Sequence, residues 1–446
     1  MSHPPYRANP HLPVPPIRRF TRPLTRFLQI ESASGFVLVV CTVVALVLAN
    51  TPAASVYHAF WHTPIHLEIG TFRLGGELGH FVVNDVLMTV FFFVVGLEIQ
   101  RELVTGELRD RRKAALPIAA ALGGMLVPAG LYMAIQANQF GEPAFRGWGV
   151  PMATDIAFVV GIMAVLGKRV PFGLKIMLLS LAIADDIGAV IVIAAFYSSG
   201  LDGFMLLLAA AGFALVRILN EAGVRSVQVY ALVGVFIWLA VYKSGVHPTV
   251  AGVMLGLLTP SEVWIGRTAL RLSIADLTVR IDDDNDDPDA NELQMMAFAA
   301  KESVSPLERL EHRLHPWVGF AIMPLFALAN AGVHIEPRAI LEPVSVAVAV
   351  ALFLGKPAGV VLFSFLAVRL GVAKLPQGVS WLTLLGGGFL AGIGFTMSLF
   401  VAGLAFGTED RLLADAKIGI LLGSLLSAAV GAGLLILTLR ARPQEQ

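Results

Sequence analysis

Apolar runs long enough, or nearly long enough, to cross a bilayer recur along the whole chain. They begin with Gly35–Asn50 and continue near 82–100, 114–136, 149–167, 172–198, 203–220, 226–243, 247–260, 316–333, 344–368, 380–405 and 414–439. A hydrocarbon core of about 30 Å needs about 20 helical residues, and inside it each backbone polar group must find its partner within the protein. The run at 247–260 is short for a full crossing. Basic residues then orient the runs. With the N-terminus inside, 25 of the 32 Lys and Arg fall on that side and five (Arg73, Arg146, Lys243, Arg338, Arg411) on the other, while Lys356 and Lys417 lie within runs. Cytoplasmic loops carry such an excess, and one missed helix would scramble it. The chain therefore reads as twelve spans with both termini cytoplasmic.

Composition agrees. Only 14% of the 446 residues are charged, against about 25% in soluble domains. The 32 basic and 32 acidic residues cancel, and no nucleic-acid partner is expected. Cys41 is the single cysteine, so no intrachain disulfide can form. No zinc-type Cys/His spacing occurs, and no cofactor is expected. Residues 1–29, rich in Pro and Arg, read as a disordered cytoplasmic tail before a 30–440 membrane domain, with 441–446 as a cytoplasmic C-terminus. The long tail favours a retained first span over a signal peptide. Alternation around glycines at 64–80 predicts a short β-hairpin between spans one and two. The longest loop, 261–315, contains the acidic run 282–289. That run fails the EF-hand pattern, having Asp287 where Gly is needed and Leu293 where Glu is needed, and reads as a solvated loop.

Within the fifth run, Asp185 and Asp186 stand side by side amid apolar residues. One ionisable side chain at that depth costs roughly 3 kcal/mol on insertion scales. Neighbours on a helix point about 100° apart, so one buried stripe cannot hide both. The helix must be packed on several sides or line a watery cavity. Two buried acids could simply hold helices together, but Ser or Asn would do so at lower cost. A cation- or proton-binding site is the stronger reading.

Few other charges are buried: Asp85 and Glu98 near the ends of span two, Asp155 in span four and Lys356 in span ten. Spans four and eleven are interrupted by Gly or Pro, around Pro151-Met152-Ala153-Thr154-Asp155 and Gly392-Ile393-Gly394. They are the middle members of two three-span groups, 3–5 and 10–12, of opposite orientation. Helices broken at midplane expose N–H groups at one break and C=O groups at the other. Asp155 could neutralise the positive ends; Lys356 could neutralise the negative ends or pair with an aspartate.

The segments Asn84-Asp85-Val86-Leu87-Met88, Gly96-Leu97-Glu98, Ala153-Thr154-Asp155-Ile156-Ala157-Phe158, Ala184-Asp185-Asp186-Ile187-Gly188-Ala189, Leu310-Glu311-His312 with His315-Pro316-Trp317, Gly355-Lys356-Pro357 and Gly392-Ile393-Gly394-Phe395-Thr396-Met397-Ser398 resemble the NhaA family of bacterial sodium/proton antiporters. They keep the family's order from about residue 30 to 440. The resemblance implies an all-α polytopic membrane protein of twelve helices, with two inverted three-helix repeats, broken and crossing spans 4 and 11, and a short periplasmic β-hairpin; this family is itself an established example of such repeats.

The resemblance further implies an inner-membrane, electrogenic exchanger that expels Na+ or Li+ and admits H+, serving sodium and pH homeostasis. Asp186 would be the main cation ligand and Asp185 the second carboxylate, paired with Lys356. Thr154 and Asp155 would lie at the helix crossing. Glu98, Arg101, Glu102, Glu311 and His315 match the cytoplasmic funnel linked to pH response, and His247 matches another pH-linked position. The 64–80 hairpin matches a homodimer contact. Two departures stand out: Gln100 replaces a basic residue, and the loop at 276–304 is longer and more acidic than usual. Both bear on the pH set-point.

Two other classes compete. An intramembrane aspartyl protease also buries two acids, but on different helices and with a Gly-x-Gly-Asp absent here. A cation channel would show a pore loop or repeated acidic ring, and neither is visible.

Overall fold

The computed structural model describes residues 31–70, 72–139, 141–198, 200–281, 290–407 and 409–440. The tail at 1–29, the acidic run at 282–289 and the C-terminus at 441–446 lie outside these residues. Helix α1 (Glu31–Ala49) turns sharply into α2 (Ala54–Trp61), and strands β1 (Pro64–Ile69) and β2 (Phe72–Glu77) follow as an antiparallel hairpin pairing Leu67 with Leu74. Gly70, at φ +62°, supplies a left-handed position at its turn, where a Cβ would be strained.

Next come α3 (Leu78–Val104) and α4 (Arg111–Ile135). Pro143–Met152 is wound as a 3₁₀ helix, and α5 (Ile156–Leu166) continues after a break. The chain proceeds through α6 (Phe172–Phe196), α7 (Gly203–Glu221), α8 (Val227–Lys243) and α9 (Thr249–Leu257). After α10 (Arg267–Ile281), α11 (Ala290–Glu302), α12 (Pro306–Trp317) and α13 (Met323–Asn330) come α14 (Pro343–Arg369), α15 (Trp381–Ala391), α16 (Phe395–Phe406) and α17 (Asp410–Arg440).

By length and apolar composition, seven helices among the described residues can cross a membrane, or nine if two bent pairs each count as one span. The expected runs at 226–243, 247–260 and 316–333 are helical but are not among those nine. One difference from the sequence reading is clear. The inter-span segment 261–315 carries α10, α11 and the start of α12 outside the acidic run, secondary structure that the sequence reading did not assign. Their Ala-, Leu-, Glu- and Arg-rich stretches favour helix whatever the acidic run does.

Close approach of small residues brings the helices together. A Cβ at Gly123 of α4 would collide with the Gly359 carbonyl of α14, and one at Gly359 would collide with the Gly123 carbonyl. Backbone thus lies directly on backbone, the usual device where lipid offers no hydrophobic drive for association. This contact carries Lys356 of α14 into the centre of the bundle.

Candidate functional site

Helix α6 buries residues all round its middle: Leu181, Ala182, Ile183, Asp185, Asp186 and Ala189. Asp185 is 0% exposed, Asp186 2% and Lys356 0%. Lys356 Nζ lies 2.6 Å from Asp185 Oδ2 and also donates to the Met152 carbonyl, at the end of the 3₁₀ segment. It therefore meets both a carboxylate and the negative end of a broken helix. Thr154 Oγ1 is 2.6 Å from Asp185 Oδ2 and 3.0 Å from the Ala391 carbonyl. Its single proton can serve only one of them at a time.

The two breaks are bonded to each other. The Asp155 N–H donates to the Ile393 carbonyl at 2.7 Å, and Ser398 Oγ donates to the Val150 carbonyl at 2.8 Å. Asp155 Oδ1 accepts the N–H groups of Ala157 and Phe158 at 3.1 and 3.4 Å, capping α5. Its Oδ2 accepts the Thr396 N–H at 3.0 Å, and the Thr396 hydroxyl as well, at the start of α16. One carboxylate thus faces two helix N-termini, where partial positive charge gathers. Ser424 of α17 accepts the Phe395 N–H at 3.2 Å and completes the α16 end.

Asp185 Oδ1 and Asp186 Oδ1 are buried and accept no hydrogen bond among the described residues. A buried polar atom left so costs about 1–3 kcal/mol, and more if charged. A proton or a small hard cation relieves that cost. Carboxylate, hydroxyl and backbone carbonyl oxygens form a donor set suited to such a cation and ill-suited to a soft metal.

A second cluster forms at the C-terminal end of α3. Arg101 pairs with Glu311 of α12, and His315 Nδ1 lies 3.6 Å from Glu98 Oε1. Glu102 Oε1 accepts Ser180 Oγ of α6 at 3.2 Å and the Glu107 N–H at 2.9 Å. Burial pushes the Glu311 carboxyl above its ordinary range; Arg101 opposes this, Glu98 adds to it, His315 opposes it and Glu308 adds to it. All five residues matched to the funnel therefore gather at one end of α3. His247 does not join them. It lies with Asp85, Nε2 to Oδ1 3.6 Å, roughly 20 Å away along that helix.

Three features escaped sequence reading. His80, on the same turns as Asp85, comes within 3.5 Å of its carboxylate, so Asp85 sits between two imidazoles. Ser180 ties the helix of the aspartate pair to Glu102. Glu302, at the end of α11, accepts Arg225 at 2.8 Å and Arg309 at 3.1 Å with its side chain 3% exposed. Burial works against its charge, yet the hydrogen bonds and charges of those two arginines hold it below the ordinary carboxylate range.

The family model described as Na+/H+ antiporter 1 matches residues 25–435. The chain belongs to the NhaA family of Na+/H+ antiporters. Antiporter NhaA of Rhodopirellula baltica is 51% identical over 438 residues, covering 98% of each chain. Antiporter NhaA 2 of Acidiphilium cryptum is 48% identical over 95% of this chain and 94% of its own. Antiporter NhaA of Rhizobium meliloti is 47% identical over 98% of each. The sodium proton antiporter MjNhaP1 of Methanocaldococcus jannaschii aligns over 96% of this chain and 100% of its own at 13% identity with a TM-score of 0.47, too loose a likeness to bear on the fold. In this NhaA family member, the aspartate pair, its lysine and the joined breaks stand at the centre of a multi-pass membrane bundle.

Proposed function

We propose that the chain is an electrogenic Na+(Li+)/H+ antiporter of the bacterial inner membrane, with twelve spans, cytoplasmic termini and pH-dependent activity. The observation that carries this is the sealed Asp185–Asp186 pair, with one lysine and an unbonded oxygen on each carboxylate. Asp186 and Asp185 hold the cation. Thr154 and Asp155 act by building the crossing that presents them, since both Asp155 oxygens are already committed. The two three-span groups, 3–5 and 10–12, form the inverted repeat.

The exchange balances as follows. Asp185, Asp186 and Lys356 together can release more protons than the single charge of one sodium ion replaces: two protons leave this cluster as one sodium arrives, and one net charge moves per cycle. A charge crossing 100 mV is worth about 2.3 kcal/mol. In proteoliposomes, imposing a potassium–valinomycin potential should therefore change the exchange rate several-fold, and an unchanged rate would contradict the two-for-one step. The test of the function itself is sodium-dependent dequenching of a ΔpH dye in everted vesicles. A channel would leave sodium and proton movement uncoupled, and a protease would move neither.

At the cytoplasmic end of α3, Glu311 ionises and pairs with Arg101 as pH rises, and activity rises with it. Glu98, Glu102 and His315 complete this funnel, while His247 with Asp85 lies at the periplasmic end. Removing Arg101 takes away the cation that opposes the upward shift of Glu311. Arg101→Gln should accordingly move the pH profile alkaline.

The hairpin supports a homodimer. Ile65 and Leu67, two apart on β1 and so on one face, are 39% and 53% exposed. Among the described residues the sheet has only these two strands, so each strand pairs on one side alone. Deleting 66–76 should shift the detergent-solubilised protein toward monomer on size exclusion with light scattering, and leave exchange in place. A well-folded deletion lacking transport at every pH would contradict that separation.

A further inference from the structure

Glu302 belongs to none of the machinery above, yet it is a buried charge held by arginines from two different elements. Arg225 stands in the connector between α7 and α8, and its guanidinium lies 4.8 Å over the Trp264 ring. Arg309 stands on α12, two residues before Glu311. The Glu302 main-chain oxygen accepts the N–H groups of Trp264 and Ile265, both at 3.2 Å, and the Leu307 N–H donates to the Pro260 carbonyl at 3.2 Å. Both ends of the α10–α11 extension are thereby fastened at one point, and α12 leaves that point capped by Ser305 Oγ. Charge-assisted hydrogen bonds of this kind are roughly twice as strong as neutral ones.

From this juxtaposition we propose that the Glu302–Arg225–Arg309 triad seats α12 and sets the pH at which Glu311 pairs with Arg101, so that the extension tunes the pH response. The proposal rests on the reading of Glu311 as the pH-responsive group. The charges facing Glu311 are Arg101 and Glu98 on α3, and His315 and Glu308 on its own helix. Those facing Glu302 are Arg225 and Arg309. Glu302 is a positioning residue in this scheme: it touches neither ion nor aspartate pair.

The triad predicts opposite signs for two substitutions. Glu302→Gln leaves two guanidiniums uncompensated beside α12, favours the ionised form of Glu311 and moves the pH profile toward acid. Arg309→Gln removes a cation, leaves Glu302 less compensated and moves it toward alkaline. Neither group touches Glu311, so each acts on it at a distance and the expected shift is small, about half a pH unit. The double variant restores the local charge and should return the midpoint toward wild type. A purely structural triad would instead lower the rate at all pH values in both single variants, with losses that add in the double variant.

The experiment is the rate of sodium/proton exchange against pH, on full-length protein in proteoliposomes, normalised to reconstituted amount. Opposite shifts with maximal rates within about twofold, cancelled in the double variant, establish the proposal. Shifts of the same sign, or none, overturn it. Should Glu302→Gln fail to accumulate, Arg309→Gln and the double variant carry the test, because an unshifted Arg309→Gln alone overturns it. Glu311→Gln separates the two readings. If it leaves the pH profile intact, the Glu311 reading fails; if it flattens the profile while the triad variants do not shift, only the triad proposal fails.

Discussion

Asp186→Asn is expected to abolish sodium/proton exchange, by at least 100-fold, in a protein that still inserts and folds. Asp186 is 2% exposed, with an unbonded oxygen in the middle of α6. The amide keeps one oxygen acceptor but loses the formal charge that a dehydrated sodium ion needs at that depth. It also removes one member of the Asp185–Asp186–Lys356 cluster from which the two-proton balance is built. Insertion should be unimpaired, because an amide is cheaper to bury than a carboxylate. Exchange is measured in everted vesicles, and folding by thermal stability in detergent. Wild-type-like exchange with Asn at 186 would remove Asp186 from the ion site. Asp185→Asn differs in kind, since it strands the Lys356 ammonium, and a broken buried pair costs roughly 3–5 kcal/mol. Its loss of activity should come with a lowered melting temperature.

The second large effect concerns affinity. Sodium and protons should compete for the same two carboxylates, so apparent sodium affinity should weaken about tenfold per pH unit for each competing proton as pH falls. Adjacent acids sharing one lysine titrate as a coupled set, and the apparent constants belong to the pair. By linkage, sodium binding must expel protons from the purified protein, and that release can be followed with a pH dye in weakly buffered detergent solution. On the proposed reading the funnel makes a different contribution: Arg101 and Glu311 would change how much protein is competent, hence the maximal rate. A sodium affinity that stayed constant between pH 6 and 8, with only the maximal rate varying, would defeat direct competition and leave the funnel as the whole source of pH dependence.

The centre of the site was legible in the sequence because charge inside an apolar run is costly and therefore conspicuous. Asp155, Asp185, Asp186 and Lys356 each interrupt a hydrophobic stretch, and Gly and Pro mark the breaks at 151–155 and 392–394. Such signals are local. What was not legible depends on neighbours far along the chain. Ser180 meets Glu102 across 78 residues and Glu302 meets Arg225 across 77, and neither serine nor glutamate stands out from its own surroundings. His80 sits in the first turn of α3, and only the fold turns it toward Asp85. The helices α10 and α11 were hidden by the acidic run between them, whose composition dominates the reading of 261–315. Their own residues are ordinary helix formers. The short α9 shows the opposite limit: its apolar run was visible, but length alone says nothing about which neighbour accommodates it. Gly96, Gly252 and Gly256 do so, bringing α9 onto the backbone of α3.

The carboxylate of Asp155 has a consequence for how this protein is made. Its second pair of donors comes from Thr396, 241 residues later in the chain. While the ribosome is still synthesising that interval, the first break holds an acid bonded only to its own helix, at Ala157 and Phe158. The Asp185 carboxylate waits likewise for Lys356. Insertion of the first five spans, which end at Phe196, therefore precedes assembly of the site by nearly half the length of the chain. A polypeptide ending before residue 396 can thread the bilayer but cannot close the crossing. Such a fragment would carry Asp155 and Asp185 within apolar helices without the partners, Thr396 and Lys356, that the C-terminal third supplies.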